Sequence, residues 1–262
     1  MNPTESSQST AEGPVALVTG AGRRIGNGIA RALAAQGYRL ALHANSSLAA
    51  VERTARELVA AGGDSIALAA DLRDEAATRE MVTRVRDHFG RIDALVNNAA
   101  IWSAKPLEVV TAADVREHFE INTLGTFICC QEAGLIMAGQ PTGGAIVNIG
   151  DWAIARPYRD HAAYFTAKGS IPALTRAFAV ELAARNPQVR VNAVLPGPVL
   201  LPLDTSPAER RQIIDATLAK REGTVGELAA AIVLLLENRF MTGVCLPVDG
   251  GRTVFAPLAG DE

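Results

Sequence analysis

A tyrosine and a lysine lie four residues apart at Tyr164 and Lys168, in a stretch whose composition predicts a helix. Residues with this spacing share one helical face, so the phenol and the ammonium can address the same point. A free tyrosine has a pKa of about 10 and is a poor acid at neutral pH. A neighbouring cation lowers that pKa towards the range where proton transfer is efficient. The pair is therefore a candidate for acid–base catalysis, although the same spacing also arises by chance on helix surfaces.

Short apolar segments alternate with helical patterns along the chain. We predict strands at 14–19, 38–43, 65–70, 92–97, 145–149, 189–195 and 244–248, and helices at 24–36, 48–61, 75–89, 112–137, 162–184 and 227–237. Most strand segments are continuously apolar, which is typical of parallel strands buried on both faces. The alternation indicates one doubly wound α/β domain with a seven-stranded, mainly parallel sheet and helices on both faces.

Composition excludes several classes of function. A net charge of −3 over 262 residues gives no reason to expect nucleic acid or an anionic membrane as a partner. The three cysteines, Cys129, Cys130 and Cys245, lack metal-ligand spacing and are predicted as core residues in a reducing compartment, with no metal. No apolar run nears the ~20 residues of a membrane span. We expect a soluble cytoplasmic protein with a disordered tail at 1–12 and one domain at 13–262.

A glycine-rich turn follows the first predicted strand, from Thr19 to Gly26 (TGAGRRIG), and opens the first helix. Glycines there allow the backbone to approach a pyrophosphate, and the helix N-terminus supplies free amides and a favourable dipole. A purely structural turn would use the same residues. Its position between a strand and a helix, at the start of an alternating chain, favours dinucleotide binding.

Together these motifs resemble the short-chain dehydrogenases/reductases from about residue 15 to 254. The resemblance rests on the glycine-rich turn and on Asp71-Leu72, Asn97-Asn98-Ala99, Asn122, Tyr164-x-x-x-Lys168 and Pro196-Gly197. It implies a Rossmann-type fold, a nicotinamide cofactor and hydride transfer to or from a carbonyl or imine carbon. It also implies a cofactor site formed by Gly20, Arg23, Arg24, Ile25, Gly26, Asn45, Ser46, Ser47, Asp71, Leu72, Asn98, Ala99, Ala100, Tyr164, Lys168, Pro196, Gly197 and Val199.

The choice of cofactor depends on the residues at the end of the second strand. A carboxylate there would bind the ribose 2′-hydroxyl of NAD and repel a 2′-phosphate. Residues 43–47 (HANSS) contain no acid, and Arg23 lies nearby in the implied site, so we expect NADP(H). Asp71 is expected beside the adenine, or alternatively as the N-cap of the following helix.

Three features resemble those of pteridine reductases, and a fourth does not. Arg24 replaces a glycine and could grip the pyrophosphate and face the substrate, or lie along the first helix. Trp102 occupies the place of an aromatic that stacks the pterin, or packs as an ordinary loop residue. Asp151 replaces the substrate-binding serine thirteen residues before Tyr164, and either orients and protonates the substrate or makes a surface turn. Ala100, where those enzymes have a serine, weakens the resemblance.

Other expectations follow from the same resemblance. Asn122 would bend its helix and hold a water in a proton relay to Lys168, or simply kink the helix. Trp152 would line the substrate pocket or only pack. A mobile substrate lid is expected at about 198–222, and helices 112–137 and 159–185 would pair across the subunits of a homotetramer.

Three functions fit this pattern. The first is an NADPH-dependent pteridine reductase in which Tyr164, Lys168, Asp151 and Asn122 are catalytic and Arg24, Trp102, Asp151, Trp152 and Tyr164 bind the substrate. The second is a general carbonyl or 3-oxoacyl thioester reductase. The third is a non-catalytic NADP-binding sensor, which would not need the tyrosine, lysine and asparagine.

Overall fold

The computed structural model describes residues 13–255 and contains one seven-stranded sheet in the order β3-β2-β1-β4-β5-β6-β7. All six strand pairings are parallel. The strands are β1 (Val15–Val18), β2 (Arg39–Ala44), β3 (Ser65–Ala69), β4 (Ala94–Asn97), β5 (Gly144–Ile149), β6 (Val189–Pro196) and β7 (Cys245–Val248). The predicted disordered tail at 1–12 lies outside the described residues.

Nine α-helices flank the sheet in the part of the chain that the structure describes. They are α1 (Arg24–Ala35), α2 (Leu48–Ala60), α3 (Glu75–Phe89), α4 (Ala112–Phe119), α5 (Gly125–Ala138), α6 (Ala162–Lys168), α7 (Ile171–Ala183), α8 (Pro207–Asp215) and α9 (Val225–Glu237). Two apolar clusters fill the two faces of the sheet. Leu17 of β1 belongs to one cluster and its neighbours Ala16 and Val18 to the other, because successive strand residues point to opposite faces. The predicted Rossmann-type, doubly wound fold is confirmed.

The helices differ from the predictions in three places. The helix predicted at 112–137 is interrupted by a π-helical turn at Glu120–Leu124. The helix predicted at 162–184 divides after Lys168, and its second part begins with a proline near its N-terminus, where the missing amide costs no hydrogen bond. Helix α8 was missed, although Ser206 accepts a hydrogen bond from the backbone amide of Glu209 as its N-cap.

By length and composition alone, the helical region Ala112–Ala138 is long and apolar enough to cross a membrane. The sequence contains no uninterrupted apolar run of that length. More than half of the most apolar window of this region, 56%, is buried inside the fold. Its α5 part packs against α3 and α7. This burial is typical of a helix in the core of a fold, where apolar side chains pack against neighbouring elements.

The carboxyl ends of β1 and β4 meet at the point where the strand order reverses. Chain segments that leave adjacent strands in opposite directions open a crevice at such a point, and ligands of doubly wound sheets bind there. The glycine-rich turn follows β1, and Asn98 follows β4. The fold thus brings the first two predicted motifs together.

Candidate active site

The predicted catalytic tyrosine and aspartate are in direct contact. Tyr164, on α6, is buried, and its hydroxyl donates a hydrogen bond of 2.6 Å to Oδ2 of Asp151, which follows β5. Oδ1 of the same carboxylate accepts a hydrogen bond of 2.8 Å from the backbone amide of Ala153. Asp151 therefore caps the short turn at Trp152–Ile154 and contacts Tyr164 at the same time. The two alternatives predicted for Asp151, that it forms a turn or that it belongs to the site, are therefore compatible.

The electrostatics of Tyr164 differ from the expected lowering of its pKa. Burial raises the pKa of Tyr164, and the negative charge and hydrogen bond of Asp151 raise it further. The phenol is therefore held protonated and donates its hydrogen bond to the carboxylate of Asp151.

Lys168 is buried on the same helix, and its Nζ donates a hydrogen bond of 2.7 Å to the carbonyl oxygen of Ile149. Burial lowers the pKa of Lys168 to about 8, and the charge of Asp151 opposes this shift. The lysine is therefore charged at neutral pH, but only by a small margin. Such a buried ammonium needs few changes in its surroundings to gain or lose its proton.

Asn122 lies in the π-helical turn and is completely buried. Its side-chain oxygen accepts a hydrogen bond of 2.8 Å from the amide of Ile101, and its side-chain nitrogen donates one of 2.9 Å to the carbonyl of the same residue. The predicted bend of the helix is present. The side chain anchors the chain after β4, so a water of a relay would have to use the backbone carbonyl, which already accepts a hydrogen bond from Thr126.

A cleft of about 800 Å³ opens at the switch point of the sheet. Most residues predicted to bind the cofactor line it: Gly20, Arg23, Arg24, Ile25, Gly26, Asn45, Ser46, Ser47, Asp71, Leu72, Asn98, Ala99 and Ala100. Tyr164, Lys168, Pro196, Gly197 and Val199 do not line this cleft. Val199 lines a smaller neighbouring cavity of about 280 Å³ together with residues that follow β7.

The glycine-rich turn is shaped to let a ligand approach its backbone. Gly20 has a φ of 64°, and a Cβ there would lie 2.8 Å from the Cα of Ala99. A Cβ at Gly26 would overlap the carbonyl oxygen of Gly20. No side chain fits at either position, and the first turn of α1 leaves backbone amides facing the cleft. This cradle suits the pyrophosphate of a nicotinamide dinucleotide.

The two arginines of the turn differ in conformation. Arg23 is the N-cap of α1 in extended backbone, with an exposed side chain. Arg24 has a φ of 52°, a left-handed conformation that favours glycine, and its guanidinium donates a hydrogen bond to the carbonyl oxygen of Leu200. Leu200 itself has a φ of 52°. Arg24 therefore joins the glycine-rich turn to the start of the predicted lid.

At the far end of the cleft, Asn45, Ser46 and Ser47 follow β2 and include no acid. The carboxylate of Asp71 accepts hydrogen bonds from the guanidinium of Arg73, and these lower the pKa of Asp71. The N-cap of α3 is Asp74, whose side chain accepts from the amide of Ala77, so the alternative that Asp71 caps this helix was wrong.

Asn98 joins the segment that follows β4 to the segment that follows β1 through hydrogen bonds. Its side-chain nitrogen donates to the carbonyl oxygens of Thr19 and Gly20, both at 3.1 Å. The hydroxyl of Thr19 accepts the backbone amides of Asn98 and Ala99, both at 3.0 Å. After β6, the amide of Gly197 donates a hydrogen bond of 2.9 Å to the carbonyl oxygen of Val248 in β7.

Trp102 forms part of an aromatic cluster that the sequence did not indicate. Its Nε1 donates a hydrogen bond of 2.9 Å to the hydroxyl of Tyr158, and its ring stacks on His161 with centroids 4.6 Å apart. Trp102 nevertheless keeps 50% of its surface exposed and lines the cleft. His161 lies edge-on to Tyr164 at 6.4 Å. Trp152 instead stacks beneath the guanidinium of Arg252, 4.5 Å from its ring centroid.

Sequence reasoning missed four residues of this region: His43, Tyr158, His161 and Leu200. A histidine at the end of a buried strand was the one available signal, since buried polar groups require partners. The contacts of the other three depend on loops whose course no local pattern indicates. Within the described residues no cluster of histidine, cysteine and acidic side chains could hold a metal ion, and all three cysteines are free.

The family model described as enoyl-(acyl carrier protein) reductase matches residues 20–253. The chain belongs to the short-chain dehydrogenase/reductase family. It is an oxidoreductase of that family, whose members use NAD(P)H.

Relatives of this short-chain dehydrogenase/reductase cover nearly its full length. The uncharacterized oxidoreductase YgfF of Escherichia coli K12 is 35% identical over 250 residues, with 91% of this chain and 99% of the relative covered. A 3-oxoacyl-[acyl-carrier-protein] reductase of a Synechocystis species is 33% identical, with 92% and 97% covered. The crystal structure of a blue fluorescent protein from a metagenomic library, in complex with NADPH, has a TM-score of 0.84 at 33% identity, with 92% and 98% covered.

Proposed function

We propose that this oxidoreductase is an NADPH-dependent reductase of a planar, pterin-like heterocycle. The observation that carries the proposal is the 2.6 Å hydrogen bond between Tyr164 and Asp151. A serine at position 151 would offer a substrate oxygen a hydroxyl, whereas a carboxylate paired with a phenol can accept a ring N–H and, once protonated, donate to a ring nitrogen. A pterin ring presents such nitrogens.

The chain's own residues then hold and move one proton. Bound NADPH supplies the hydride. Asp151 orients the ring, and Tyr164 donates its proton to the substrate. The positive charge of Lys168, on the same helical face, favours the negative charge that remains on the Asp151–Tyr164 pair after transfer. Asn122 supports the site by fixing Ile101 through its hydrogen bonds. We also propose that Asn122 takes part in a water relay.

The aromatic cluster supports a flat substrate. Trp102 is stacked on His161 and tied to Tyr158, so its orientation is fixed before any ligand arrives. Half of its surface remains accessible at the cleft. An immobilised indole loses little conformational entropy on binding and can stack on a planar ring. Arg24 and Trp152 complete the proposed substrate site.

We propose NADP(H) as the cofactor, because no acid follows β2 and the exposed side chain of Arg23 stands at the same cleft as Ser46 and Ser47. A 2′-phosphate would meet hydroxyl donors and a cation there. The carboxylate nearest to this region, Asp71, is already neutralised by Arg73. NADPH in the related blue fluorescent protein structure agrees with this assignment.

The second candidate is a 3-oxoacyl thioester reductase. It is favoured by the Synechocystis relative that carries this name. In that case Asp151 would replace the usual serine in binding a ketone oxygen, and would have to be protonated to do so. A non-catalytic sensor is disfavoured, because Tyr164, Lys168 and Asn122 are all buried in one ordered site.

The proposed assembly is a homotetramer in a reducing compartment such as the cytoplasm. Large apolar side chains remain exposed on α5 and α7, including Phe127, Leu135 and Val180, which are 42%, 48% and 71% accessible. These exposed apolar side chains support the proposal that the two helices pair across subunits. The substrate lid is proposed at 198–222, a segment that contains α8. Light scattering of the purified protein measures the tetramer directly.

The test is NADPH oxidation, followed by its absorbance, with dihydrobiopterin or dihydrofolate beside a panel of ketones, diketones and a 3-oxoacyl thioester. Turnover of the pterins at low substrate concentration supports the proposal. Turnover of ketones or the thioester alone would assign the second candidate, and binding of NADPH without any turnover would assign the sensor.

A further inference from the structure

His43 links all three segments that line the dinucleotide end of the cleft. It is the fifth residue of β2 and only 1% exposed. Its Nδ1 accepts a hydrogen bond of 3.3 Å from the backbone amide of Gly20, and its Nε2 bonds to the carbonyl oxygen of Ala70 at 3.0 Å. Its own backbone carbonyl accepts the amide of Ala21 at 2.8 Å.

These partners allow one protonation state of the ring. The amide of Gly20 is a donor, so Nδ1 must carry a lone pair. The carbonyl of Ala70 is an acceptor, so Nε2 must carry the hydrogen. The ring is therefore the neutral Nε2–H tautomer. A protonated His43 would point an N–H at the N–H of Gly20 and lose this contact.

The contact supports the part of the cofactor cradle that has left-handed backbone. Gly20 has a positive φ, and on its other side it is held by the side chain of Asn98. His43 and Asn98 thus both hold Gly20: His43 binds its amide, and Asn98 binds its carbonyl oxygen. Without His43, the part-buried amide of Gly20 loses its acceptor, which disfavours the conformation that the pyrophosphate requires.

We infer that His43 is a positioning residue for the dinucleotide: it holds the Gly20–Ala21 turn in its binding conformation in the neutral Nε2–H form and releases it on protonation. The inference depends on the nicotinamide cofactor of the family and is independent of the substrate class. It makes cofactor affinity sensitive to acid through a residue that does not belong to the proposed chemistry.

The surroundings of the ring favour the neutral form. Residues 19–22 of the glycine-rich turn carry no ionisable side chain. On the β3 side the charged group that acts on the ring is Asp71, which is paired with Arg73. On β2 its neighbours are Leu42 and Ala44. Burial lowers the pKa of His43, and the attraction of Asp71 offsets this only in part.

Two amide variants distinguish the roles of the two ring nitrogens of His43. His43→Asn can place its side-chain oxygen where Nδ1 stands and accept the amide of Gly20. His43→Gln places its polar group where Nε2 stands and leaves Gly20 without an acceptor. We expect His43→Gln to weaken NADPH binding by about tenfold, the effect of one part-buried donor that loses its acceptor. His43→Asn should restore most of that loss.

The pH dependence supplies a second readout. Below the pKa of His43 the wild-type affinity for NADPH should fall by up to about tenfold per pH unit relative to His43→Asn. Comparing the two proteins cancels the titration of the 2′-phosphate, which is common to both. His88→Asn, which replaces an exposed histidine, should follow the wild type.

Hydrogen exchange in the cofactor-free protein tests the same contact without activity. The amide of Gly20 should exchange faster in His43→Gln than in His43→Asn, and faster in the wild type at acid pH. Thermal unfolding checks that each variant is folded. If the variants do not fold, the ring nitrogens of wild-type His43 are measured by NMR. Equal NADPH affinity of the two variants, or a protonated His43 with unchanged protection of Gly20, would overturn the inference.

Discussion

The hydroxyl of Tyr164 donates a hydrogen bond of 2.6 Å to Oδ2 of Asp151, while the other oxygen of that carboxylate caps the turn beginning at Trp152. The turn fixes the carboxylate, and the carboxylate fixes the phenol. The aspartate and the tyrosine therefore form one preorganised unit joined by a short hydrogen bond. This relationship distinguishes the site from one in which a serine accompanies the tyrosine.

Activity should decrease as the pH rises through about 8. Lys168 has its pKa lowered to about 8 by burial, so it is charged below this pH and neutral above it. Because the charge supports proton transfer from the Asp151–Tyr164 pair, the pH profile of kcat/KM, which reports the free enzyme, should show this alkaline limb. In Lys168→Arg the limb should move to higher pH, since a guanidinium stays protonated. A limb that does not move would separate Lys168 from the titration.

Lys168→Met should stabilise the cofactor-free protein at pH 7 while abolishing turnover. Lowering a lysine pKa from 10.5 to about 8 corresponds to a cost of about 3 kcal/mol for the buried charge. The unpaired carbonyl of Ile149 reduces the gain to about 2 kcal/mol. The cost of the charge is fully present below pH 8 and vanishes as the pH approaches 10.5, so the difference in unfolding free energy between variant and wild type should shrink over that interval. Denaturant titrations at several pH values measure it, and a destabilised variant would contradict the assignment.

Arg24→Gly should loosen the start of the proposed lid without destabilising the fold. Glycine adopts the positive φ of this position freely, which offsets its greater entropy loss on folding. The hydrogen bond to Leu200 is lost, so amides at 198–203 should exchange faster and NADPH should dissociate about tenfold faster. Arg24→Lys keeps the charge and the strained backbone and serves as the matched control. Unchanged exchange near Leu200 in the glycine variant would show that the contact does not hold the lid.

Ser46→Asp should shift the preference from NADPH to NADH. A carboxylate at the end of β2 repels a 2′-phosphate and can accept a ribose hydroxyl. NADPH affinity is expected to fall by about tenfold to a hundredfold, with little change for NADH, measured by fluorescence titration. Ser46→Asn, of similar size and without charge, is the control. If the wild type already binds NADH more tightly, the NADP(H) assignment is wrong.

The fold and most of the cofactor cleft could be predicted because they depend on local patterns. Continuous apolar strands such as Val15–Val18 indicate a parallel sheet, and Gly20 and Gly26 are required where no side chain fits. The π-helical turn around Asn122 could be anticipated only as a bend. Helix α8 was missed because its amphipathic pattern is weak and none of its residues is buried.

The contacts of the site could not be predicted, since they join residues distant along the chain. The partners of Trp102 lie 56 and 59 residues later, at Tyr158 and His161. Arg24 contacts a backbone carbonyl, which any residue at position 200 would present. The direction of the Tyr164 pKa shift depends on burial and on the charge of Asp151, which the spacing of Tyr164 and Lys168 does not reveal.

The most direct test of the account compares wild type with Asp151→Ser for two substrates, a dihydropterin and a ketone. Serine can still cap the turn at Ala153, so thermal stability should be nearly unchanged. The account predicts that kcat/KM for the pterin falls by about a hundredfold or more, the range for loss of a general acid, while ketone reduction is retained or improved. Pterin turnover that survives the substitution, or a wild type that reduces only the ketone, would contradict the role assigned to Asp151.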